Sequence, residues 1–249
     1  MDIRLIRHAT LVVETAGQRL LVDPMLDAAG ARPAIDNTPE PRRNPLVELP
    51  LPAEHLVAEA SAVLVSHLHA DHLDDAAVEL LRDRDVPVVC QPADADTLRE
   101  RGLGDVRPVD GTLELPGGVT VTRTDGRHGH GELADRLGPV SGFVVRAPGE
   151  PALYIAGDTV WCDEVGAALR EHRPDVVVVN AGGARFLRGE PITMPAEDVL
   201  ATAEAAAPAV VVAVHMEAIN HCLVTREDLR RAAGDRVLVP DDGEVAWRG

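Results

Sequence analysis

The sequence predicts an α/β protein built from two β-sheets with helices on their outer surfaces, in one domain that spans residues 1–249. Three observations predict this class. Short apolar runs separated by turn residues fill the first 23 residues, strands alternate with amphipathic helices after residue 60, and 45% of the residues are hydrophobic. This hydrophobic content is enough for a packed core, and the sequence contains no internal repeat.

The amino-terminal region is predicted to form a small antiparallel meander. Its apolar runs IRLIRH, LVVETAGQ and RLLVD are separated by turn residues, with one turn near Gly17. From Asp27 to His55 the pattern changes, because this segment contains six prolines and has no periodicity. We predict a long irregular loop, which either shapes a binding pocket or is a simple surface excursion.

The middle of the chain is predicted to alternate between strands and helices. The runs AVLVS, VPVVC, GVTVTRT, VSGFVVRA and ALYIAGD have the composition of buried strands. One helix is predicted over DDAAVELLRDRD, with Ala77, Leu80 and Leu81 on its apolar face. A second helix is predicted over residues 94–102.

Three helices and two strands are predicted in the carboxyl-terminal part. The segment WCDEVGAALREHRP has the pattern of a helix that is stopped by its final proline. The strands VVVVN and AVVVAVH enclose a helix that begins at Pro195 and ends before Pro208. Thr225 and Asp228 form a capping box at the start of the last helix, which ends at Gly234.

The composition excludes several classes of function. All 24 basic residues are Arg, so the sequence contains neither a Schiff-base lysine nor a P-loop lysine. The net charge of -17 and the scattered aromatic residues argue against nucleic acid as a partner. The three separate cysteines do not form the pattern of a disulfide framework. Since no apolar stretch approaches membrane-spanning length, we expect a cytoplasmic protein without a membrane partner. Formation of a homo-oligomer stays open.

A dense group of His and Asp residues follows the strand AVLVS, in the segment SHLHADHLDD. Alternate residues of an extended chain point the same way, so His67 and His69 can reach one metal ion. Asp71 and His72, at the start of the next helix, can face a second ion. A polar helix start with Asp74 as N-cap is the alternative, but it leaves three histidines unexplained. The spacing therefore predicts a metal site at the carboxyl end of this strand.

The segment HLHADH resembles the HxHxDH signature of the metallo-β-lactamase fold superfamily. That family has a further His, then a bridging Asp after a strand, then a final His after a later strand. His128 in GRHGHG, Asp158 in YIAGDT and His215 in VVVAVHM match this order. The resemblance covers nearly the whole chain, and it implies a four-layer αββα sandwich.

The resemblance also implies two divalent metal ions with separate sets of ligands. One ion would bind His67, His69 and His128, the other Asp71, His72 and His215, and Asp158 would bridge the two. Asp71 is also counted among the predicted catalytic groups. His128 is preferred as a ligand because it precedes a glycine, as the third ligand of the family often does, and His130 is the alternative. Zinc is the first choice of metal, manganese is the second because no thiolate is among the ligands, and iron is the third.

The amino-terminal stretch RHATLVVE…LLVDP is similar to the opening of the ascorbate-6-phosphate lactonase branch of that superfamily. This similarity makes His8 a candidate catalytic group, and it makes Asp23 a candidate for binding the substrate or supporting a metal ligand. The alternative is that both are polar residues at strand ends. The Gly-rich turn in NAGGARFLRGEPITM places backbone N–H groups beside Arg185 and Arg188, which we expect to bind a carboxylate or phosphate. The alternative there is a solvated surface turn.

His221 is a further candidate catalytic group, because it lies only six residues after His215 and can reach the cleft. With an unperturbed pKa near 6.5, it would be able to donate a proton to the leaving oxygen. The alternative is that His221 only forms a hydrogen bond with the loop before Thr225.

The predicted function is metal-dependent hydrolysis of a small substrate, which is an ester, a lactone or a phosphoester, and an anionic substrate stays open. The resemblance implies that a hydroxide between the ions is the nucleophile, with its pKa lowered by the metals. The Pro-rich loop departs from the lactonase branch, so the substrate of that branch is not carried over. Two alternatives stay open: an iron-dependent dioxygenase on the same fold, and a metal-binding scaffold without catalytic activity.

Overall fold

The protein contains two stacked β-sheets, as described by a computed structural model of residues 1–249. The first sheet consists of β1 (Asp2–Arg7), β2 (Thr10–Thr15), β3 (Gln18–Val22), β4 (Ala62–Val65), β5 (Val88–Cys90), β6 (Val106–Pro108) and β13 (Val245–Arg248). Its order is β13-β1-β2-β3-β4-β5-β6. Neighbouring strands are antiparallel from β13 to β3 and parallel from β3 to β6. Strands β1 to β3 of the antiparallel half form the predicted amino-terminal meander.

The second sheet has six strands and also combines both orientations. It consists of β7 (Thr112–Leu115), β8 (Val119–Asp125), β9 (Ser141–Arg146), β10 (Leu153–Ile155), β11 (Val176–Asn180) and β12 (Val210–Val214). Its order is β12-β11-β10-β9-β8-β7. The strands from β10 to β12 are parallel, and the others are antiparallel.

Helices cover the outer face of each sheet. Three pack on the first sheet: α1 (Ala53–Glu59), α2 (Asp75–Arg82) and α3 (Ala95–Glu100). Three pack on the second: α5 (Asp163–His172), α6 (Ala196–Ala206) and α7 (Arg226–Ala233). The remaining helix, α4 (Gly131–Leu137), follows β8 and buries none of its residues. None of the helices has the length and hydrophobicity that crossing a bilayer requires.

The largest group of buried apolar side chains lies between the two sheets. Ile3 and Leu5 of β1 point into this layer from one side, and Val176 and Val178 of β11 point into it from the other. Val177, between the last two, points outwards and packs under the helices of the second sheet. Each sheet is therefore buried on both faces, which explains the continuous apolar runs in the sequence. The layers follow the order helix, sheet, sheet, helix, which confirms the predicted αββα sandwich.

Two predicted helix starts are also found in the structure. The side chain of Asp74 caps α2 by accepting a hydrogen bond from the backbone N–H of Ala77 at 2.9 Å. The side chain of Thr225 caps α7 by accepting one from the N–H of Asp228 at 3.1 Å. In both cases the local sequence was sufficient, because a cap needs only residues within one helical turn.

Five elements of the fold are not predicted from the sequence: α1, α4, β6, β7 and β13. The three strands have only three or four residues each and lie at sheet edges. Such short edge strands carry too few residues to show a clear period. Helix α1 begins at Ala53, so the irregular loop that was predicted to reach His55 is three residues too long. Its start has no side-chain cap that would mark it in the sequence.

Candidate metal centre

A cluster of buried polar side chains lies where strands of both sheets end. The residues that follow these strands are His8 after β1, Asp23 after β3, His67 to His72 after β4, His128 after β8, Asp158 after β10 and His215 after β12. Three of them have positive φ angles: 61° at His8, 44° at Asp23 and 69° at His215. This conformation costs on the order of 1–3 kcal/mol in a residue other than glycine. The chain turns sharply there and directs these side chains towards one another.

One group within the cluster consists of His67, His69 and His128. One ligand atom from each lies within 4.8 Å of the others, so the three could hold a metal ion. The Nδ1 atom of His128 donates a hydrogen bond to the carbonyl of Ile192 at 2.8 Å. The Nδ1 atom of His67 lies 3.0 Å from the hydroxyl of Ser66. These contacts hold the two rings by Nδ1 and leave Nε2 as the coordinating atom.

A second group consists of His8, Asp71, His72 and His215, and it also fits within 4.8 Å. The Nε2 atoms of His72 and His215 are 3.3 Å apart. Oδ2 of Asp71 lies 3.7 Å from Nε2 of His215 and 3.2 Å from Nε2 of His8. The structure therefore adds His8 to the three residues expected in this group.

Asp158 lies between the two groups, with one carboxylate oxygen towards each. Its Oδ1 atom is 3.3 Å from Nε2 of His72 and 3.2 Å from Nε2 of His215. Its Oδ2 atom is 3.5 Å from Nε2 of His128 and 4.0 Å from Nε2 of His67. This is the placement that a carboxylate bridging two ions requires.

The protonation states of His67, His215 and Asp158 also fit divalent cations. Burial lowers the pKa of His67 and of His215 well below the usual value, so both rings are neutral, as ligands must be. Burial by itself would raise the pKa of Asp158, but His215 and His72 hold it well below the usual value, so the carboxylate is ionised. The Nε2 atom of His67 is buried and has no hydrogen-bond partner. A metal ion would give this atom the partner it lacks.

Asp23 lies behind the second group and does not line the cavity, so the prediction that it binds substrate is not supported. Its side chain accepts hydrogen bonds from the backbone N–H and the hydroxyl of Ser66, at 2.7 and 2.8 Å. Its Oδ2 atom is 2.8 Å from Nδ1 of His72. Burial by itself would lower the pKa of His72, but Asp158 and Asp23 raise it well above the usual value. Asp23 thus orients His72, which is the other role considered for it.

His8 is fully buried and packs directly against the second group. Its ring centroid is 3.6 Å from that of His215, and its Nδ1 atom has no hydrogen-bond partner. His8 contacts Asp71 but does not line the cavity, so its side chain is not placed to touch a substrate. Its position suits a residue that orients the Asp71 carboxylate.

A cavity of about 260 Å³ adjoins the cluster. Its polar lining includes His69, Asp71, His128 and Asp158. Its apolar walls come from the Pro-rich loop, from α4 and from the segments that follow β11 and β12. These wall residues are Pro33, Ile35, Leu137, Phe186, Ile192 and Ile219. The Pro-rich loop thus shapes the pocket, which is the first of its two predicted roles.

His221 lines this cavity, as the sequence predicts. It is buried, and its ring stacks on Phe186 with 6.4 Å between the centroids. Burial lowers the pKa of His221 to about 4, so the expectation of an unperturbed pKa is wrong. At neutral pH the ring carries no charge, and it can donate a hydrogen bond without being a strong acid.

Arg185 and Arg188 do not line the cavity, and both side chains are exposed. The backbone N–H groups of their turn already have partners. Gly183 donates to the carbonyl of Met194, Ala184 to the hydroxyl of Thr193, and Arg185 to the carbonyl of His221. The predicted binding of a carboxylate or phosphate by this turn is therefore not supported, because its donors are occupied within the fold.

The other loop histidine is also distant from the cluster. His130 is exposed and starts α4, whereas His128 is buried beside Asp158.

Sequence reasoning misses Ser66 and Asn180, although each ends an apolar run as Asp158 does. Asn180 donates a hydrogen bond to Oδ1 of Asp158 at 2.7 Å and so orients the carboxylate. Polar residues at the ends of buried strands are the signal that would have found both.

The chain is similar to known proteins over most of its length. Residues 18–216 match the family model described as Beta-lactamase superfamily domain. The UPF0173 protein YddR of Bacillus subtilis is 37% identical over 253 aligned positions, which cover 98% of each chain. A UPF0173 metal-dependent hydrolase of Xanthobacter autotrophicus is 30% identical over 200 positions, which cover 76% of this chain and 74% of the relative. The crystal structure of isothiocyanate hydrolase from Delia radicum gut bacteria superposes with a TM-score of 0.92, at 39% identity and 98% coverage of both chains.

Proposed function

Because this chain belongs to the beta-lactamase superfamily and to the UPF0173 family of metal-dependent hydrolases, we propose that it hydrolyses a small, uncharged electrophile at a centre of two divalent metal ions. The observation that carries this proposal is the position of the cavity. Its lining combines Asp71, His128 and Asp158 of the cluster with several apolar side chains. A small apolar molecule in this space has its reactive atom at the His and Asp cluster.

The two groups of side chains would hold one ion each. His67, His69 and His128 form the first set of ligands, Asp71, His72 and His215 form the second, and Asp158 contacts both. When bound, the ions would lower the pKa of a water molecule and polarise the electrophilic atom. Zinc is the first metal to test, then manganese, then iron, since imidazole and carboxylate ligands without thiolate suit all three.

An isothiocyanate is the first substrate class to test. The solved structure named an isothiocyanate hydrolase is 39% identical to this chain over nearly its whole length. The reaction R–N=C=S + H₂O → R–NH₂ + O=C=S adds water at the central carbon, breaks the N–C bond and transfers both protons to nitrogen. Uncharged esters and lactones are the second class, because they too present an electrophilic carbon. A phosphoester is less well supported, because Arg185 and Arg188 are not at the cavity and the arginine that does line it, Arg32, is paired with Asp27.

Several side chains of the cavity would act on the substrate directly or through a neighbour. The Nδ1 atom of His221 is buried without a partner. We assign its proton to Nε2, so that this N–H donates a hydrogen bond to the sulfur or oxygen on which charge develops. His8 would donate from Nε2 to Asp71 and keep that carboxylate in position. The apolar walls, including Phe186 and Ile219, would exclude bulk water.

The proposal is tested with protein reconstituted separately with zinc, manganese and iron. We expect two ions per chain, release of equal amounts of benzylamine and carbonyl sulfide from benzyl isothiocyanate, and loss of turnover after chelation. Phenyl acetate and a γ-lactone are the uncharged comparison substrates, and bis(p-nitrophenyl) phosphate is the anionic one. Hydrolysis of the phosphodiester alone would overturn the proposal.

Two other results would favour the alternatives that the sequence left open. Iron-specific consumption of oxygen would support a dioxygenase. Full metal content without turnover of any probe would support a metal-binding scaffold.

A further inference from the structure

The cavity contains a permanently charged cation, Arg32, on the Pro-rich loop. Arg32 lines the same cavity as Pro33 and the carboxylate and imidazole groups of the metal centre. Its side chain is only 23% exposed. The sequence did not identify this residue, because an arginine in an irregular loop carries no local signal of its role.

The charge of Arg32 is balanced within the protein. Its Nε atom lies 2.7 Å from Oδ2 of Asp27, and the Asp27 side chain is 14% exposed. The hydrogen-bonding capacity of the guanidinium group is nevertheless not used up. Nε and Nη2 are buried and neither makes a hydrogen bond of good geometry, so Nε contributes only the ion pair with Asp27, and no protein acceptor receives a hydrogen bond from Nη1. An arginine placed in this way offers donors while the Asp27 carboxylate balances its charge.

The loop holds Arg32 in position before any ligand binds. The backbone N–H groups of Arg32 and Asn44 each donate to the carbonyl of the other, at 2.7 and 2.9 Å. The Asn44 side chain is joined to Asn220 by two hydrogen bonds of 2.7 and 2.9 Å. Asn220 is buried and also accepts a hydrogen bond from the N–H of Ile35 at 3.0 Å. The donors of Arg32 are therefore preorganised at the cavity wall.

These contacts restrict the chemistry of the group that Arg32 can bind. A carboxylate placed beside Arg32 would also lie near Asp27, whose negative charge repels it. The other lining residues from this loop offer no free side-chain donor to stabilise an anion, because Pro33 and Ile35 are apolar and the Asn44 amide donates to Asn220. An uncharged acceptor, such as a carbonyl oxygen, accepts the free N–H groups without this repulsion.

We propose that Arg32 selects substrates whose tail, remote from the carbon that is attacked, carries an uncharged hydrogen-bond acceptor. The inference rests on the proposed function, in which the reactive carbon lies at the metal centre and the tail extends along the cavity. It adds a specificity-determining residue and a property of the substrate to that function.

Three isothiocyanates of equal length test the proposal. Their tails end in a methyl group, in a methyl ketone and in a carboxylate. In Arg32→Met we expect kcat/KM for the ketone to fall by about tenfold or more, and that for the hydrocarbon to change by less than about threefold. Arg32→Lys keeps a cation beside Asp27 but lacks the forked N–H groups, and it should show the same selective loss. Arg42→Met is the matched control, because Arg42 lies on the same loop, is 63% exposed and pairs with Glu40.

Equal loss for the ketone and the hydrocarbon would overturn the proposal, because Arg32 would then only support the loop. The largest loss for the carboxylate would also overturn it, since Arg32 would then be an anion site. Metal content and melting temperature of each variant show whether the fold is kept.

Calorimetry with unreactive thiocarbamates that carry the same three tails measures recognition without turnover. If the wild-type protein hydrolyses none of the isothiocyanates, the isothiocyanate part of the proposed function fails. The thiocarbamate affinities then still decide the role of Arg32, and equal affinities in wild type and Arg32→Met would reject it.

Discussion

Replacing Asp23 by Asn tests whether a buried carboxylate behind the cluster controls metal binding. Asp23 is 1% exposed, and its Oδ2 atom is 2.8 Å from Nδ1 of His72. An amide of the same shape keeps an acceptor for Ser66 but can place an N–H against His72. The proton of His72 then moves to Nε2, the atom that faces Asp158 and His215. That tautomer cannot bind a metal ion through Nε2.

The expected size of the effect follows from the contacts. Loss of a partner that orients a metal ligand commonly costs about 10- to 100-fold in metal affinity, or about 1.4 to 2.7 kcal/mol. The ion on the His72 side should be affected more, because Asp23 contacts His72 directly and reaches His67 only through the Ser66 hydroxyl. The fold should be retained, since the substitution preserves side-chain volume in a packed interior.

The assay is equilibrium competition with a chromogenic chelator, which measures the affinity of the weaker and the tighter ion separately. Asp94→Asn is the control, because Asp94 is a buried carboxylate bonded to Gln91 outside the cluster. Wild-type affinity for both ions in Asp23→Asn would refute the reasoning. An equal loss in the Asp94 variant would show that the effect is not specific to His72.

Four further predictions concern the cluster and the cavity. His69→Ala should lower the metal content and abolish hydrolysis, because one ion loses an imidazole; full occupancy with unchanged activity would contradict this. Asp158→Asn should keep the melting temperature within a few degrees while turnover collapses, since a neutral amide bridges two cations poorly; turnover equal to wild type would exclude the bridge. Metal analysis should show a loss in His128→Ala and none in His130→Ala, and the reverse result would exchange their roles. His221 has its pKa lowered to about 4 by burial, so as pH falls from about 6.5 to 4 the unfolded chain binds a proton that the folded chain does not. The free energy of unfolding of the metal-free protein should therefore fall over this pH range, and that of His221→Gln should fall less. Urea denaturation at pH 6.5 and at pH 4 measures both losses. Equal losses in the two proteins would contradict the lowered pKa of His221.

Much of the fold could be predicted because its long strands are buried on both faces. The run Val176 to Asn180 is apolar up to its last residue, and β11 occupies that segment. The capped helices are equally local, since Asp74 and Thr225 act within one turn. Short edge strands such as β6 and β7 could not be predicted, because pairing with a neighbouring strand defines them more than their own composition does.

The close spacing of His67, His69, Asp71 and His72 determined by itself that this chain has a candidate metal site, because these residues are neighbours in the chain. Tertiary structure decided how distant residues complete it. It placed Asp158 between the two groups, Asp23 behind His72 and Arg32 at the cavity wall, and it left Arg185 exposed. Spacing along the chain sets only the direction of nearby side chains. A side chain at a strand end or in a loop reaches the centre only if the right strands lie side by side and the loop folds back over them. The long-range packing of both sheets sets these positions.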